Sequence, residues 1–229
     1  MPRDLIGHPA LQTEPLSRFP EYGDHEMVKA ASAFHTTMAS RRTVRHFSGR
    51  SVPRVVIETC IATANQAPSG ANRQPWHFAV VGDAKIKTII RIRAEEEERK
   101  FYFQRASQEW LASLAPLGTN WEKPFLETAP WLIAVFGERH SILTDRKKLT
   151  NYYVPESVCL ASGFLLCALH HAGLATLTHT PSPMKFLNEI LKRPLNEKPY
   201  MLIIAGHPAE DCRVPKLLYK KPEQVTSWF

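Results

Sequence analysis

The sequence predicts an α+β fold in one large domain, and three observations support this prediction. The chain has 229 residues, of which 44% are hydrophobic, so it can bury a sizeable core. Short runs of bulky and β-branched residues alternate with longer runs whose apolar residues recur at helical spacing. No internal repeat or low-complexity segment interrupts this order, which excludes a solenoid.

Four strands are predicted from apolar runs bounded by turn residues such as Gly82 and Asp83. These strands cover residues 76–81, 131–136, 175–180 and 200–205. Helices are predicted over residues 27–39, 51–67, 84–102, 157–171 and 185–191. We expect Ser51 to cap the second helix, with Pro53 in its first turn.

The predicted helix at residues 157–171 is apolar almost all round. Such a helix is expected to be buried on every side, either at the centre of a domain or at a dimer interface. The third helix carries four isoleucines that we expect to face inward, namely Ile86, Ile89, Ile90 and Ile92.

Two segments lack helical or strand periodicity. Residues 1–24 are rich in proline and polar groups, which predicts an N-terminal extension ahead of a single domain at residues 25–229. Between residues 104 and 125 the pattern weakens, and Pro116 and Gly118 make a long helix improbable. We therefore expect a mobile lid over about residues 99–125.

Composition restricts the functional classes. The formal charge is +7, but the basic residues are scattered and match no nucleic-acid-binding motif. The four cysteines show no metal-binding spacing, so neither a metal site nor a disulfide is expected. The apolar run at residues 158–169 is too short to cross a bilayer, and the N-terminus lacks the apolar core of a signal peptide. We expect a cytoplasmic protein without a nucleic-acid or membrane partner.

The segment from Arg41 to Arg45 is the strongest candidate for a ligand site. It places Arg41, Arg42 and Arg45 beside the hydroxyl of Thr43 and next to a helix. Guanidinium groups match phosphate oxygens in geometry, and three of them repel one another unless they are solvated or neutralised by an anion. The alternative interpretation is a solvated basic turn.

Other segments combine small, hydroxyl and basic residues. Residues 68–72 form a Pro-Ser-Gly-Ala-Asn turn that can direct backbone donors at a flat ligand, although it can also be an ordinary turn. Thr176, Thr178 and Thr180 share one face of a predicted strand, a pattern that is also common in sheets without any ligand. Lys220 lies in a short basic stretch typical of a solvated tail.

Glu98 and Tyr102 lie four residues apart on a predicted helix, so their carboxylate and phenol face the same way. Lys123 follows on the predicted lid. Together these groups can bind an amino-acid zwitterion, with its ammonium on Glu98 and its carboxylate on Lys123. The acidic run at residues 95–98 can alternatively be a solvated helix face.

These segments resemble the nitroreductase superfamily and, within it, the iodotyrosine deiodinase family, from about Phe19 to Gln224. The motifs that carry the resemblance are residues 41–45, 67–71, 75–76, 95–98 with Tyr102, 119–123, 173–181, 214–215 and 221–222. The resemblance implies a central, mostly antiparallel sheet flanked by helices, in a domain-swapped homodimer. It also implies FMN as the cofactor.

The resemblance assigns roles to individual residues. The implied FMN ligands are Arg41, Arg42, Thr43, Val44, Arg45, Thr178, His179, Thr180 and Lys220, with Ser69 and Gly70 contributed across the dimer interface. Thr180 is the implied catalytic residue, with its hydroxyl near N5 of the flavin. The implied substrate ligands are Ala71, through its N–H, together with Glu98, Tyr102 and Lys123. Compared with relatives, the chain departs at Thr43, where they carry Ser, at His179, where they carry Thr, and at Lys220, where they carry Arg.

The implied activity is reductive dehalogenation of halogenated tyrosine, which releases tyrosine and halide. The implied reductant is NADPH or NADH, acting directly, through a reductase or through a flavodoxin- or ferredoxin-type donor. Alternatives on the same fold are a broad-specificity NAD(P)H-dependent nitroreductase or quinone reductase, and an enzyme that destroys its flavin. A non-catalytic flavin or halotyrosine binder and a basic nucleic-acid-binding module are alternatives from other classes.

Overall fold

The computed structural model describes residues 12–142 and 148–229. Contacts divide the chain into a first unit that ends at Ala39 and a second unit, Ser40–Phe229. The first unit contains helix α1, Asp24–Ala39, which confirms the predicted helix and begins three residues earlier. Its start is explained by Glu26, whose carboxylate accepts a hydrogen bond from the Gly23 N–H at 3.1 Å.

The second unit is built on a four-stranded sheet with the order β1-β2-β6-β5. Its strands are β1 Trp76–Val81, β2 Trp131–Glu138, β5 Ala175–His179 and β6 Glu197–Gly206. All three neighbouring pairs are antiparallel, as expected. One row across the sheet aligns Ala79, Ala134, Leu202 and His179. The strands β1 and β5 therefore form opposite edges.

Helices cover both faces of the sheet. On one face Leu132, Ala134 and Phe136 pack in a core with Ile90 and Leu126. The other face contributes Ile133, Val135 and Ile203 to a second core, together with Val158 and Leu165. The helices are α2 Arg54–Ala64, α3 Ala84–Lys100, α4 Gln108–Leu114, α5 Phe125–Thr128, α6 Val154–His171 and α7 Phe186–Ile190. Alternate residues of β2 thus point into different cores, as a strand covered on both faces requires.

The expected helix features need three corrections. Helix α2 begins at Arg54 with Pro53 as its N-cap and no side-chain capping bond, so Ser51 does not cap it. In α3 the buried residues are Lys87, Ile90 and Ala94, whereas Ile89 and Ile92 are 48% and 44% exposed. The inward stripe of α3 is narrower than its apolar composition indicates. Lys87 can lie in this buried stripe because its ammonium donates hydrogen bonds to the carbonyls of Glu127 and Ala129.

The third correction concerns α6, which is not buried on every side within one chain. Ser157, Val158, Ala161, Leu165 and Leu169 form its buried stripe. On the opposite side Leu160 and Phe164 remain 47% and 40% exposed. An apolar helix face left uncovered by its own chain is typical of an interface with another protein surface.

The segment after α3 is irregular, as the weak sequence pattern predicts. A π-helical turn spans Phe101–Arg105, and a 3₁₀ turn follows α4 at Ala115–Leu117. A small hairpin of β3 His140–Ile142 and β4 Lys148–Thr150 was not predicted, since each strand has only three residues. Within residues 12–142 and 148–229, every helix falls short of the length and apolarity needed to cross a membrane.

Candidate functional site

The arginine segment runs in extended form beside the edge strand β5. Thr43 forms a parallel bridge with Thr176, and the Val44 N–H donates to the Thr176 carbonyl at 3.0 Å. Because the bridge is parallel, the segment leads Arg45 along the strand toward His179. The arginines therefore lie along the sheet edge, and in sequence they follow directly after the end of α1 at Ala39.

Some side-chain donors on this segment lack partners among the described residues. The Arg42 side chain donates to the Pro215 carbonyl, but its buried Nε has no acceptor among the described residues. Arg41 is half-buried and forms no hydrogen bond or ion pair with the part of the chain that the structure describes. Burial lowers the pKa of Arg45, an effect partly opposed by nearby Tyr102. Desolvated guanidinium groups with free donors fit an anionic ligand such as a phosphate.

Exposed and buried residues lie next to one another at the end of β5. Thr178 and Thr180 are exposed, whereas Thr176 and His179 are buried. The exposure of two hydroxyls on one face leaves them available to a ligand. Thr176 lies on the same face but is covered, because the arginine segment pairs with it.

His179 is a buried histidine that the sequence did not explain. Its ring packs edge-on against Phe125 with centroids 5.8 Å apart, and its Nε2 has no partner in the described chain. Burial lowers the pKa of His179 to about 3, and the positive charges of Lys123 and Arg45 act in the same direction. The imidazole is therefore neutral at physiological pH, and its Nε2 can still make a hydrogen bond.

Glu98 and Lys123 form an ion pair beside this histidine. The two groups approach to 3.1 Å, and their side chains are only 13% and 3% exposed. The Lys123 ammonium also donates to the Asn120 carbonyl and lies 5.6 Å from the centre of the Tyr102 ring. Burial lowers the pKa of Lys123, whereas Glu98 raises it. A buried pair of opposite charges of this kind can receive a ligand that carries both signs.

Tyr102 lies in the π-helical turn that continues α3, one turn beyond Glu98. Its hydroxyl is 3.5 Å from the Thr119 hydroxyl, which is a weak contact at most. The electrostatic coupling of Tyr102 to Arg45, and of Lys123 to both Arg45 and His179, shows that the predicted substrate and cofactor residues are neighbours. We call Arg45, Glu98, Tyr102, Lys123 and His179 the β5-edge cluster.

The loop at residues 69–71 is held in a strained conformation. Ala71, Asn72 and Gln74 all have positive φ angles close to 50°, which is unfavourable for residues other than glycine. The Ser69 hydroxyl accepts from the Gln74 N–H at 2.9 Å, which helps to hold this shape. The Ala71 N–H has no acceptor among the described residues, so it is available to a ligand.

Gly70 is required where this loop meets α6. A Cβ at Gly70 would lie 2.8 Å from a ring carbon of Tyr153 and 3.1 Å from the Tyr152 carbonyl oxygen. The Gly70 N–H points toward the Ser157 hydroxyl at 3.5 Å. The loop is thus seated on the N-terminal end of α6, the helix whose outer face is exposed.

Among the described residues, no hydrogen bond or ion pair joins the loop to the β5-edge cluster. The loop precedes β1, and the cluster lies along β5 at the other edge of a four-stranded sheet. Three inter-strand spacings of about 4.8 Å place the two edges about 14 Å apart. The hydrogen bonds of Ser69 and Gly70 are to Gln74 and Ser157, which lie outside the cluster.

Lys220 is exposed in the C-terminal segment and forms no hydrogen bond or ion pair with the described residues. The Pro215 carbonyl of the same segment accepts a hydrogen bond from the Arg42 side chain. Sequence reasoning missed Phe125, which packs on His179, and Glu95, which binds the backbone of Lys123. Glu95 could have been suspected from its place one turn before Glu98, whereas nothing in the sequence signals Phe125.

Comparison with known proteins agrees with this geometry. Residues 38–207 match the model of the nitroreductase family. The iodotyrosine deiodinase of Haliscomenobacter hydrossis is 52% identical over 205 residues, which is 90% of this chain and 92% of the relative. Human iodotyrosine deiodinase 1 is 42% identical over 207 residues, covering 89% of this chain and 71% of the human protein.

A solved structure agrees as well. The crystal structure of oxidised iodotyrosine deiodinase bound to FMN and 3-iodo-L-tyrosine superposes with a TM-score of 0.71 and 32% identity, over 86% of this chain and 98% of that one. A BluB-like flavoprotein from Clostridium difficile, at 17% identity and a TM-score of 0.64, shares the fold. The chain belongs to the nitroreductase family, within its iodotyrosine deiodinase group.

Proposed function

We propose that the protein is an FMN-dependent oxidoreductase that removes halide reductively from halogenated tyrosine. The reaction consumes halotyrosine, two electrons and one proton, and it yields tyrosine and a halide ion. The observation that carries this proposal is the buried pair of Glu98 and Lys123 beside Arg45 and His179. The iodotyrosine deiodinase relatives, one of them solved with FMN and 3-iodo-L-tyrosine, support the same activity.

The residues of the arginine segment fit FMN. The unpartnered Nε of Arg42, the free donors of Arg41 and the desolvated cation of Arg45 all favour an acceptor-rich anion. Thr43 and Val44 lie between these arginines, and Lys220 can add a further cation. Bound FMN supplies the electrons for breaking the carbon–halogen bond, and the protein contributes binding, orientation and exclusion of water.

The end of β5 is proposed to line the flavin ring. The outward hydroxyls of Thr178 and Thr180 are free to donate hydrogen bonds to it. We assign the catalytic role to Thr180, whose hydroxyl would hold a hydrogen bond to N5 and so influence whether electrons pass singly or in pairs. His179 contributes as a neutral neighbour, because burial prevents its protonation.

The pair of Glu98 and Lys123 is proposed to bind the amino-acid end of the substrate. A zwitterion exchanges this single ion pair for two, with its ammonium on Glu98 and its carboxylate on Lys123. A ligand with only one charge would leave the other buried charge unpaired, which is strongly unfavourable. The site therefore selects a complete amino acid, with Tyr102 packed alongside.

The remaining contacts are proposed to come from a second copy of the chain. Ser69, Gly70 and Ala71 precede β1, and the β1 edge is about 14 Å from the β5 edge of the same sheet. A homodimer could bring the loop of one chain to the cluster of the other, with Ser69 and Gly70 at the flavin and the free Ala71 N–H on the substrate phenolate. The exposed apolar face of α6 supports such an interface.

The electron donor is proposed to be NADPH or NADH, acting directly or through a reductase. A flavodoxin- or ferredoxin-type protein is a second source, and the +7 formal charge would attract an acidic donor of this kind. Both sources are consistent with the proposed cytoplasmic location.

Anaerobic titration tests the proposed activity. The purified protein is reduced with a chemical reductant, mixed with iodo-, bromo- or chlorotyrosine, and followed by flavin absorbance and halide release. We expect one halide and one tyrosine for each flavin that becomes oxidised. Nitroaromatic or quinone reduction without any reaction of halotyrosine would instead identify a broad-specificity reductase.

A further inference from the structure

The lid is anchored at one end by a network of charges. Between residues 101 and 122, all of which the structure describes, no residue is buried. Lys123 is the next residue and is only 2% exposed. The boundary between an exposed and a buried segment therefore falls directly at a proposed substrate ligand.

Glu95 binds the backbone of Lys123 at this boundary. One carboxylate oxygen of Glu95 accepts from the Lys123 N–H at 2.7 Å. The other accepts from Arg91 at 2.6 Å, and Arg91 also donates to Glu127 at 2.7 Å. Arg91 thus joins α3 to α5 on the far side of Lys123, and Glu95 is only 14% exposed within this network.

Two glutamates of α3 hold the same lysine in different ways. Glu95 fixes the main chain of Lys123, and Glu98, one turn later, binds its ammonium at 3.1 Å. Only Glu98 can exchange its partner for a substrate ammonium, because Glu95 is already occupied by a backbone N–H and by Arg91. The two carboxylates consequently have different tasks.

We propose that Glu95 is a positioning residue for substrate binding, a role that rests on the function proposed above. Glu95 holds the Lys123 main chain in place. The Lys123 ammonium therefore stays positioned for the substrate carboxylate in every conformation of the lid. A lysine side chain loses much conformational freedom when it binds, and a fixed main chain lowers that cost. Movement of the lid is then confined to residues 101–122.

The test compares three variants of the FMN-loaded protein. Glu95→Ala removes both contacts, Glu95→Gln keeps an oxygen that can accept from the Lys123 N–H, and Glu96→Ala is the matched control. The Glu96 side chain is 53% exposed, and its ion pair within the described part of the chain is with Arg93 at 3.5 Å. Dissociation constants are measured by flavin fluorescence for 3-iodotyrosine and for 2-iodophenol. Because 2-iodophenol carries no amino-acid group, it leaves the ion pair of Glu98 and Lys123 undisturbed.

Glu95→Ala should weaken 3-iodotyrosine binding about tenfold, since the Lys123 segment must then be ordered when the substrate binds. Glu95→Gln should keep most of the wild-type affinity for 3-iodotyrosine, and Glu96→Ala should bind it as tightly as the wild type does. Binding of 2-iodophenol should stay within about twofold in every variant, because it does not use Lys123.

Several results would overturn the assignment. Unchanged 3-iodotyrosine affinity in Glu95→Ala would remove Glu95 from the site, and equal weakening of both ligands would show a purely structural role. If Glu95→Ala does not fold, Glu95→Asp provides the same comparison, because its shorter side chain cannot reach the Lys123 N–H. Failure of the proposed function is recognised separately, since the wild type itself would then not bind 3-iodotyrosine.

Discussion

Near the β5 edge of the sheet, the charges of Arg45 and Lys123 lower the pKa of buried His179, whereas the loop at residues 69–71, which precedes β1, rests on the N-terminal end of α6. The first group is desolvated, and all of its members belong to one chain. The second has strained backbone and a free N–H, and it rests on α6, whose outer face is apolar. We therefore infer that the cluster forms one half of the proposed site and that the loop belongs to the half that a second chain completes.

This difference supports the proposal that the site is divided between two chains. The residues proposed to bind charged groups are fixed within the fold, where burial strengthens their electrostatic interactions. The loop residues proposed to supply backbone donors lie beside the exposed apolar face of α6. Single substitutions can therefore affect assembly, cofactor binding or substrate binding separately.

The largest effect is expected at the α6 surface. Leu160→Glu places a charge on this apolar face, and burying an unpaired charge costs about 3–5 kcal/mol. The dimer dissociation constant should rise at least about 100-fold, and flavin should be lost with it. Analytical ultracentrifugation and flavin content provide the measurement. The control is Ile89→Glu on α3, at 48% exposure against 47% for Leu160. A Leu160→Glu protein that remains dimeric and fully flavinated would refute the proposed interface.

The next effect is expected at the arginine segment. Arg45→Met retains the side-chain length but removes a charged donor, so FMN affinity should fall about 10- to 150-fold, from roughly 1.5–3 kcal/mol. Equilibrium dialysis with FMN measures the change. Arg50→Met is the control, since Arg50 is exposed and its side chain forms no hydrogen bond or ion pair with a described residue. If both variants bind FMN equally well, Arg45 does not contact the cofactor.

A smaller effect is expected for substrate binding. Glu98→Gln removes the partner of the buried Lys123 ammonium and should raise the 3-iodotyrosine dissociation constant about tenfold or more. The FMN content should not change, because Glu98 lies on the substrate side of the cluster. Flavin fluorescence quenching measures the affinity, and an unaltered dissociation constant would exclude Glu98 from zwitterion binding.

His179 should make the protein sensitive to acid. The pKa of His179 in the folded protein is about 3, below the ordinary value of 6.5. Between these two values the imidazole binds a proton in the unfolded chain but stays neutral in the folded chain. Above pH 6.5 the imidazole is neutral in both states and contributes nothing. Below this value stability falls until pH reaches about 3. At pH 5.5, one unit below the ordinary pKa, the free energy of unfolding is lowered by about 1.4 kcal/mol.

His179→Thr should remove this loss. Urea unfolding at pH 7.5 and pH 5.5 measures it, and the wild type should lose more stability between the two conditions than the variant does. The comparison between proteins cancels the titration of other groups. The same pH dependence in both proteins would show that His179 is not held neutral by Arg45, Lys123 and its burial.

Much of the fold could be predicted from local patterns. The four sheet strands are short and rich in β-branched residues, and each was located within a few residues of its observed bounds. Glu98, Tyr102 and Lys123 were grouped because their opposite charges suggest a zwitterion, and the structure brings them together.

Other features depend on pairing over long distances, which local patterns do not encode. The arginine segment could not be assigned to the β5 edge, because its bridge joins Thr43 to Thr176 across more than a hundred residues. Glu95 and Glu98 belong to the same acidic run, and only their contacts distinguish them. The exposed side of α6 was hidden by its uniform apolar composition, which looks the same for a core helix and for an interface.

Complementation between two inactive variants tests most directly the claim that two chains share each site. Arg45→Ala disables the β5 edge, and Gly70→Val disables the β1 edge, where a Cβ would press on the Tyr152 carbonyl oxygen at 3.1 Å. The two chains are co-expressed with different tags, and heterodimers are isolated by both tags. We predict that heterodimers regain about half of the wild-type dehalogenation rate, because one of their two sites is intact. Inactive heterodimers that still bind flavin would show that each site is built within a single chain.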